Sequence, residues 1–147
     1  MTTSKRTALR RAVSLLLTVL LSVCLCVPAL AAEDTLTIST VEQLKSFAAS
    51  CAYDAWSKGL TVVLDSDIDM KGEALSVPIF LGTFDGQGHK ITNVKLTDSA
   101  SGYGVFSRIA QSGTVKNLTV SGDMTPSGTQ SYIGGIAGYN YGIIRNC

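Results

Sequence analysis

A short strand motif that recurs through the second half of this sequence constrains the fold more than any other feature. Three copies align on an asparagine, at 91–96 (ITNVKL), 115–120 (VKNLTV) and 144–147 (IRNC), and the aligned residues are Asn93, Asn117 and Asn146. Intervals in the twenties, with short strands and no helix between the copies, are typical of a solenoid in which each repeat forms one coil. Because a single coil cannot bury its apolar side chains alone, neighbouring coils are expected to cover each other.

The aligned asparagines predict a ladder along the stack. An asparagine side chain can hydrogen-bond to the next coil and tolerates left-handed backbone. We therefore expect Asn93 and Asn117 to lie above one another on consecutive coils. The apolar positions predicted to face inward are Ile91, Val94 and Leu96 in one coil and Val115, Leu118 and Val120 in the next.

Glycines accompany the repeats at positions where the backbone has to turn or approach closely. A second short element also occurs twice, as GVFS at 104–107 and GIAG at 135–138. The residues predicted to shape the repeats are Asn93, Asn117 and Asn146 together with Gly82, Gly86, Gly104, Gly135 and Gly138.

A helical pattern precedes the repeats. Ser39 and Glu42 have the spacing of a capping box, and an apolar stripe follows at Leu44, Phe47, Ala48, Cys51 and Ala55. This pattern predicts a short strand near 33–38, a helix over Val41–Ser57 and a stop at Gly59. Cys51 and Cys147, the two cysteines outside the N-terminal segment, are predicted to be unpaired thiols.

Residues 1–31 have the layout of a secretory signal peptide. Four basic residues precede an apolar run of about 16 residues and a small-x-small sequence at Ala29–Ala31. The run is shorter than the ~20 residues of a membrane-spanning helix, so no stable membrane insertion is expected after cleavage. Cleavage leaves eight Lys/Arg against eleven Asp/Glu. This acidic balance argues against nucleic acid as a partner.

The repeat region resembles two known groups of proteins. The stretch 134–147 resembles the GLUG repeat of bacterial surface proteins, with Ile136 in the place of the leucine, and 104–107 is a degenerate copy. The stretch 82–91 resembles the opening coil of right-handed parallel β-helices with a pectate-lyase-like fold. The resemblance implies a secreted protein. GLUG repeats occur in large cell-surface adhesins and beside the peptidase domains of secreted immunoglobulin A proteases, and the pectate-lyase-like fold also occurs in polysaccharide lyases and hydrolases.

The predicted fold class is therefore all-β, a right-handed single-stranded parallel β-helix with one N-terminal capping helix, preceded by a signal peptide. The predicted boundaries are 1–31 for the signal peptide, 32–59 for the N-terminal strand and capping helix, and 60–147 for an incomplete β-helix with GLUG-like repeats. Because the chain stops inside a repeat, we expect it to be a fragment whose β-helix continues in a longer protein.

No catalytic, cofactor-binding or metal-binding residue is predicted. His89 is the only histidine, which excludes a zinc peptidase helix of the His-Glu-x-x-His type, and a solvent-facing turn position is expected for it. Asp65, Asp67 and Asp69 alternate along one strand face, but the flanking residues lack the glycine and glutamate of an EF-hand loop. Asp85 paired with one of them would support glycoside hydrolysis only with the carboxyls about 5–9 Å apart.

The predicted function is a secreted or cell-surface, non-catalytic β-helix module that serves adhesion or binds glycans or host proteins, with no cofactor. Four tyrosines near the turns, Tyr103, Tyr132, Tyr139 and Tyr141, are candidates for stacking on sugar rings. Two alternatives stay open: the N-terminal part of a carbohydrate-active β-helix enzyme, and the non-catalytic leader of a secreted metallopeptidase. The expected location is extracellular, with cell-wall association as a further expectation.

Overall fold

Short parallel strands form nearly all of the regular structure in the computed structural model, which describes residues 34–53, 55–96, 102–123 and 132–147. The predicted signal peptide lies outside the described residues. The elements are β1 (Thr35–Ile38), α1 (Val41–Ser50), β2 (Thr61–Leu64), β3 (Ile68–Asp69), β4 (Thr83–Asp85), β5 (Lys90–Lys95), β6 (Phe106–Ile109), β7 (Thr114–Lys116), β8 (Thr119–Asp123), β9 (Ala137–Asn140) and β10 (Ile143–Arg145).

These strands belong to three parallel sheets that the chain visits in turn. Sheet A has the order β1-β2-β4-β7-β10, sheet B the order β3-β5-β8, and sheet C pairs β6 with β9. Isolated bridges from Val77 to Phe106 and from Phe80 to Ile109 extend sheet C by one coil. The result is the right-handed parallel β-helix predicted from the sequence, with about three turns and one short helix.

The register of sheet A defines where each coil begins. Thr61 pairs with Thr83, Thr83 with Thr114, and Thr114 with Ile143, so successive coils span 61–82, 83–113 and 114–142. The first of these coils is clearly shorter than the two that follow. In β2, β4 and β7, the residue after the paired threonine points inward and is buried, at Val62, Phe84 and Val115.

The prediction that Asn93 stacks on Asn117 is wrong. Asn117 follows β7 at the corner between sheets A and B, whereas Asn93 lies inside β5, where the register with β8 shifts between Ile91 and Val94. Both residues have left-handed backbone, with φ of 53° and 54°. The motif therefore encodes a local bend, and successive coils use that bend at different places. The interval between Asn117 and Asn146, by contrast, is one true coil.

The helix begins at Val41 as predicted, but its capping residues and its C-terminal end differ from the prediction. Its N-cap is Thr40, whose side chain accepts a hydrogen bond from the Gln43 N–H, while the Gln43 side chain accepts from the Thr40 N–H. The capping box is thus one residue later than the predicted Ser39 and Glu42. The helix ends at Ser50 rather than Ser57, because the chain then turns back through a left-handed Ala55 (φ 55°) to bring β2 beside β1.

An aromatic cluster fills the coil interior near this helix. Phe47 of α1 lies 5.8 Å from both Phe80 and Phe84, measured between ring centroids, and Phe106 lies 5.5 Å from Phe84. All four rings are buried. Because β1 is the first strand of sheet A and α1 follows it, the helix covers the N-terminal end of the core, as the prediction of a capping helix required.

Candidate functional site

Four of the five glycines predicted to shape the repeats, Gly82, Gly86, Gly104 and Gly138, lie where another backbone passes too close for a side chain. A Cβ on Gly104 would lie 2.8 Å from the Gly134 oxygen, and a Cβ on Gly138 would lie 2.7 Å from the Tyr103 nitrogen. A Cβ on Gly82 would overlap the carbonyl oxygens of Leu60 and Ser57. These residues therefore set how closely the coils stack.

Gly86 and Gly135 take part in the same stacking. A Cβ on Gly86 would overlap the carbonyl oxygen of Asn117. The Gly135 carbonyl accepts a hydrogen bond from the Val105 N–H, and Phe106 pairs with Ala137 in sheet C. The segments 104–107 and 135–138, aligned from sequence, therefore lie in register on neighbouring coils.

A polar ladder runs along the corner between sheets A and B. The Asn146 amide donates to Oδ1 of Asn117 at 3.1 Å, and the Asn117 amide donates to Oδ1 of Asp85 at 3.0 Å. Lys116 Nζ lies 2.9 Å from Oδ2 of Asp85. Desolvation would raise the pKa of Asp85, but hydrogen bonds from Lys116, Asn117 and the Gln87 N–H outweigh it and lower that pKa to about 2. Asp85 is held as a carboxylate and closes the ladder.

The other aspartates that the sequence singled out are bound separately. The Asn93 amide donates to Oδ1 of Asp69 at 2.8 Å, from the following coil. Oδ1 of Asp67 lies 3.0 Å from Nδ1 of His89 and accepts the Lys90 N–H. His89 is therefore a partner of Asp67 as well as a turn residue. Among the described residues, no three His, Cys, Asp or Glu side chains are grouped to hold a metal ion.

The tyrosine cluster, defined as Tyr132, Tyr139 and Tyr141, forms a continuous aromatic surface on the last coil. The ring centroids of Tyr132 and Tyr139 are 4.3 Å apart, and the Tyr139 and Tyr141 rings are parallel to within 6° at 6.3 Å. The exposed fractions of Tyr132 and Tyr141 are 52% and 61%. Tyr103, the fourth candidate, is buried, and its hydroxyl donates to the Leu96 carbonyl at 2.6 Å. It is a core residue and not available for stacking.

Arg108 joins this surface to a cavity. It is exposed on β6 and pairs with Tyr139 of β9, and its Cζ lies 5.4 Å from the centroid of the Tyr139 ring. An adjacent cavity of about 470 Å³ is lined by Ile79, Arg108, Ala110, Gln111 and Tyr141. The cavity and the tyrosine cluster share Tyr141, and Arg108 lines the cavity and contacts the Tyr139 ring. Together they form one surface with rings, an apolar wall and a cationic group.

Reasoning from the sequence missed Arg108 and the cavity. The signal was present, because the alignment of 104–107 with 135–138 extends by one residue and places Arg108 opposite Tyr139. The importance of this outward-facing pair depends on the neighbouring cavity, which forms only in the tertiary structure.

Comparison with known proteins shows a distant and partial similarity. Over 69 residues, the chain is 36% identical to a protein of Evansella cellulosilytica whose name describes it as a Gly-rich membrane protein; the match covers 46% of this chain and 8% of that protein. No protein-family description matches the chain, and no solved structure matches it. Within the described part of the chain, no helix is long and apolar enough to span a bilayer.

Proposed function

We propose that this chain is an exported, non-catalytic β-helix module that binds glycans by stacking sugar rings on the tyrosine cluster. The observation that carries the proposal is the contiguity of the three rings, two of which are more than half exposed. Exposed apolar patches with polar edges mark interaction sites on soluble proteins.

Tyrosine suits this role because its ring has an apolar face and a polar hydroxyl, and few torsions are frozen on binding. The C–H face of a pyranose ring is flat and apolar, whereas its edge carries hydroxyls. The faces of the clustered tyrosine rings match the apolar face of the sugar, and the side chains of Arg108 and Gln111 beside them can hydrogen-bond to its hydroxyls.

Asp85 lacks the protonation state that a glycosidase needs in its general acid. A glycosidase needs one carboxyl that stays protonated near neutral pH as a general acid. Asp85 is held ionised by Lys116 and Asn117, which makes it unsuited to that role. Asp85 instead has a structural role, because it accepts a hydrogen bond from Asn117 in the polar ladder at the corner between sheets A and B.

The test is binding of the purified protein to a panel of insoluble and soluble polysaccharides, measured by pull-down and titration calorimetry. Tyr141→Ala is expected to weaken binding about fivefold or more, taking as a guide the roughly 1–3 kcal/mol that a flat nucleic-acid base gains by stacking on an aromatic side chain. Tyr53→Ala is the matched control, since Tyr53 is 72% exposed and not part of the tyrosine cluster. Equal affinities for the two variants would refute the proposal.

Export is tested separately. Expression of the whole chain in a bacterial host, followed by N-terminal sequencing of protein from outside the cytoplasm, is expected to give a mature chain that starts at Ala32. Retention in the cytoplasm at full length would contradict this part of the proposal and leave glycan binding to be judged on its own test.

A further inference from the structure

The guanidinium of Arg108 is a cation without a carboxylate partner in the described part of the chain. The ion pairs found there join Lys45 to Glu73, His89 to Asp67 and Lys116 to Asp85. Arg108 is exposed on the outer face of sheet C and is held in place by the Tyr139 ring. Its charge is therefore available to a ligand that occupies the neighbouring cavity.

The geometry of a guanidinium determines what it can bind. The group is planar, and its five N–H donors point outward in that plane, so a contact between the guanidinium and an aromatic ring leaves donors free. A pair of parallel N–H groups matches the two oxygens of a carboxylate. A hydroxyl-only sugar offers no group of comparable charge or shape.

The cavity beside Arg108 provides room for such a group next to the stacked ring. Ile79 and Ala110 give it an apolar wall, Gln111 adds an amide, and Tyr141 belongs both to the cavity and to the tyrosine cluster. Its volume of about 470 Å³ lies within the range of small-molecule sites. A sugar stacked on Tyr141 would thus place its substituents within the cavity that Arg108 lines.

We propose that Arg108 makes this surface selective for glycans that carry carboxylates, namely uronic acids or sugars with an equivalent acidic substituent. This inference rests on the proposed function, because it names the class of glycan that the same surface binds. Arg108 acts as the specificity-determining residue, and the tyrosine cluster supplies stacking that is independent of charge.

The experiment measures affinity for three acidic polysaccharides, hyaluronan, alginate and polygalacturonate, and for the same polymers after chemical reduction of their carboxyls to alcohols. The wild-type protein is expected to bind at least one acidic polymer about tenfold more tightly than its reduced form, as charge-assisted hydrogen bonds require. Arg108→Gln is expected to abolish that difference and leave affinity for the reduced polymer unchanged. Arg145→Gln is the matched control, because Arg145 is also exposed but lies on sheet A.

Each outcome decides between the proposals. Equal binding of acidic and reduced polymers by the wild type overturns the selectivity and leaves the stacking proposal intact. An equal loss of affinity for both forms in Arg108→Gln also overturns it, because Arg108 then only supports the Tyr139 ring. Failure of the wild type to bind any polymer of either form, or of the wider panel above, overturns the proposed function itself.

Discussion

The side-chain amide of Asn146 donates a hydrogen bond of 3.1 Å to Oδ1 of Asn117, one coil earlier in the chain. Asn117 in turn donates to Asp85 in the coil before it. Side-chain hydrogen bonds thus connect three coils along the corner between sheets A and B. They add to the backbone pairing of β4, β7 and β10.

Replacing Asn117 should separate the contribution of this ladder from that of backbone conformation. Asn117→Ala removes two side-chain hydrogen bonds and places alanine at φ 54°, so we expect a loss of about 2–3 kcal/mol in the free energy of unfolding. Asn117→Gly removes the same bonds without the left-handed strain and should lose about 1 kcal/mol less. Urea unfolding followed by circular dichroism measures both. Equal losses of unfolding free energy in the two variants would contradict the predicted cost of left-handed backbone at alanine. No loss in either variant would contradict a stabilising role for the side-chain hydrogen bonds.

The low pKa of Asp85 predicts a specific dependence of stability on pH. Its folded-state pKa of about 2 is below the ordinary value of 3.8, so its stabilising effect is fully present above about pH 4 and is lost as the pH falls through 2. The loss should be on the order of 1–2 kcal/mol. Unfolding free energies of the wild type and Asp85→Asn, measured between pH 7 and pH 2, should converge toward the acidic end. A difference between the two proteins that stays constant over this range would contradict the assignment.

Gly138 should tolerate a side chain far less than a glycine in open space. A Cβ on Gly138 would lie 2.7 Å from the Tyr103 nitrogen, whereas a Cβ on Gly72 would meet nothing within 4 Å. Gly72→Ala should cost only the strain of its positive φ of 80°, about 1 kcal/mol. Gly138→Ala should cost at least twice as much, because neighbouring coils have to separate. Thermal unfolding of the two variants gives the comparison, and equal destabilisation would refute the close-packing account.

Phe84 should be among the most sensitive positions in the core. Its ring contacts those of Phe47, Phe80 and Phe106 and is fully buried. Phe84→Ala is expected to lose about 3–5 kcal/mol through lost burial and a residual cavity. The exposed Tyr53→Ala should change stability by less than about 0.5 kcal/mol. A loss below about 1 kcal/mol for Phe84→Ala in chemical denaturation would show that the aromatic cluster does not hold the coils to the helix.

The sequence predicted the fold class from the recurrence of a short strand motif, and it predicted most inward-facing residues because they have the same spacing in two copies of that motif. Ile91, Val94, Leu96, Val115 and Leu118 are all buried, as predicted, and Val120 is half-buried. The paired positions 104–107 and 135–138 were also aligned correctly. The candidate site was only partly predicted: three of four tyrosines are exposed or half-exposed, but Arg108 and the cavity were missed.

In the sequence, the coil register is marked by a glycine before each of three sheet A strands rather than by the asparagines. Gly82, Gly113 and Gly142 each precede a strand of sheet A, and a Cβ on any of them would lie too close to the preceding coil. Each stands directly before the first paired residue of its strand, so the three glycines recur once per coil. The glycine recurs because it packs against the coil before it, and so it marks the register more reliably than a residue that only bends the chain.

The sequence by itself determined local features: buried alternation, left-handed bends at Asn93 and Asn117, and a capped helix before the first full coil. The tertiary structure decided which bends stack. Both asparagines satisfy the same backbone conformation, so nothing local distinguishes them. Asn117 meets Asp85 and Asn146 because the lengths of the last two coils bring them together, whereas Asn93 meets Asp69. The coil register is fixed where the backbones of successive coils pack closely at glycines, and this packing is a contact between residues that are distant in the sequence.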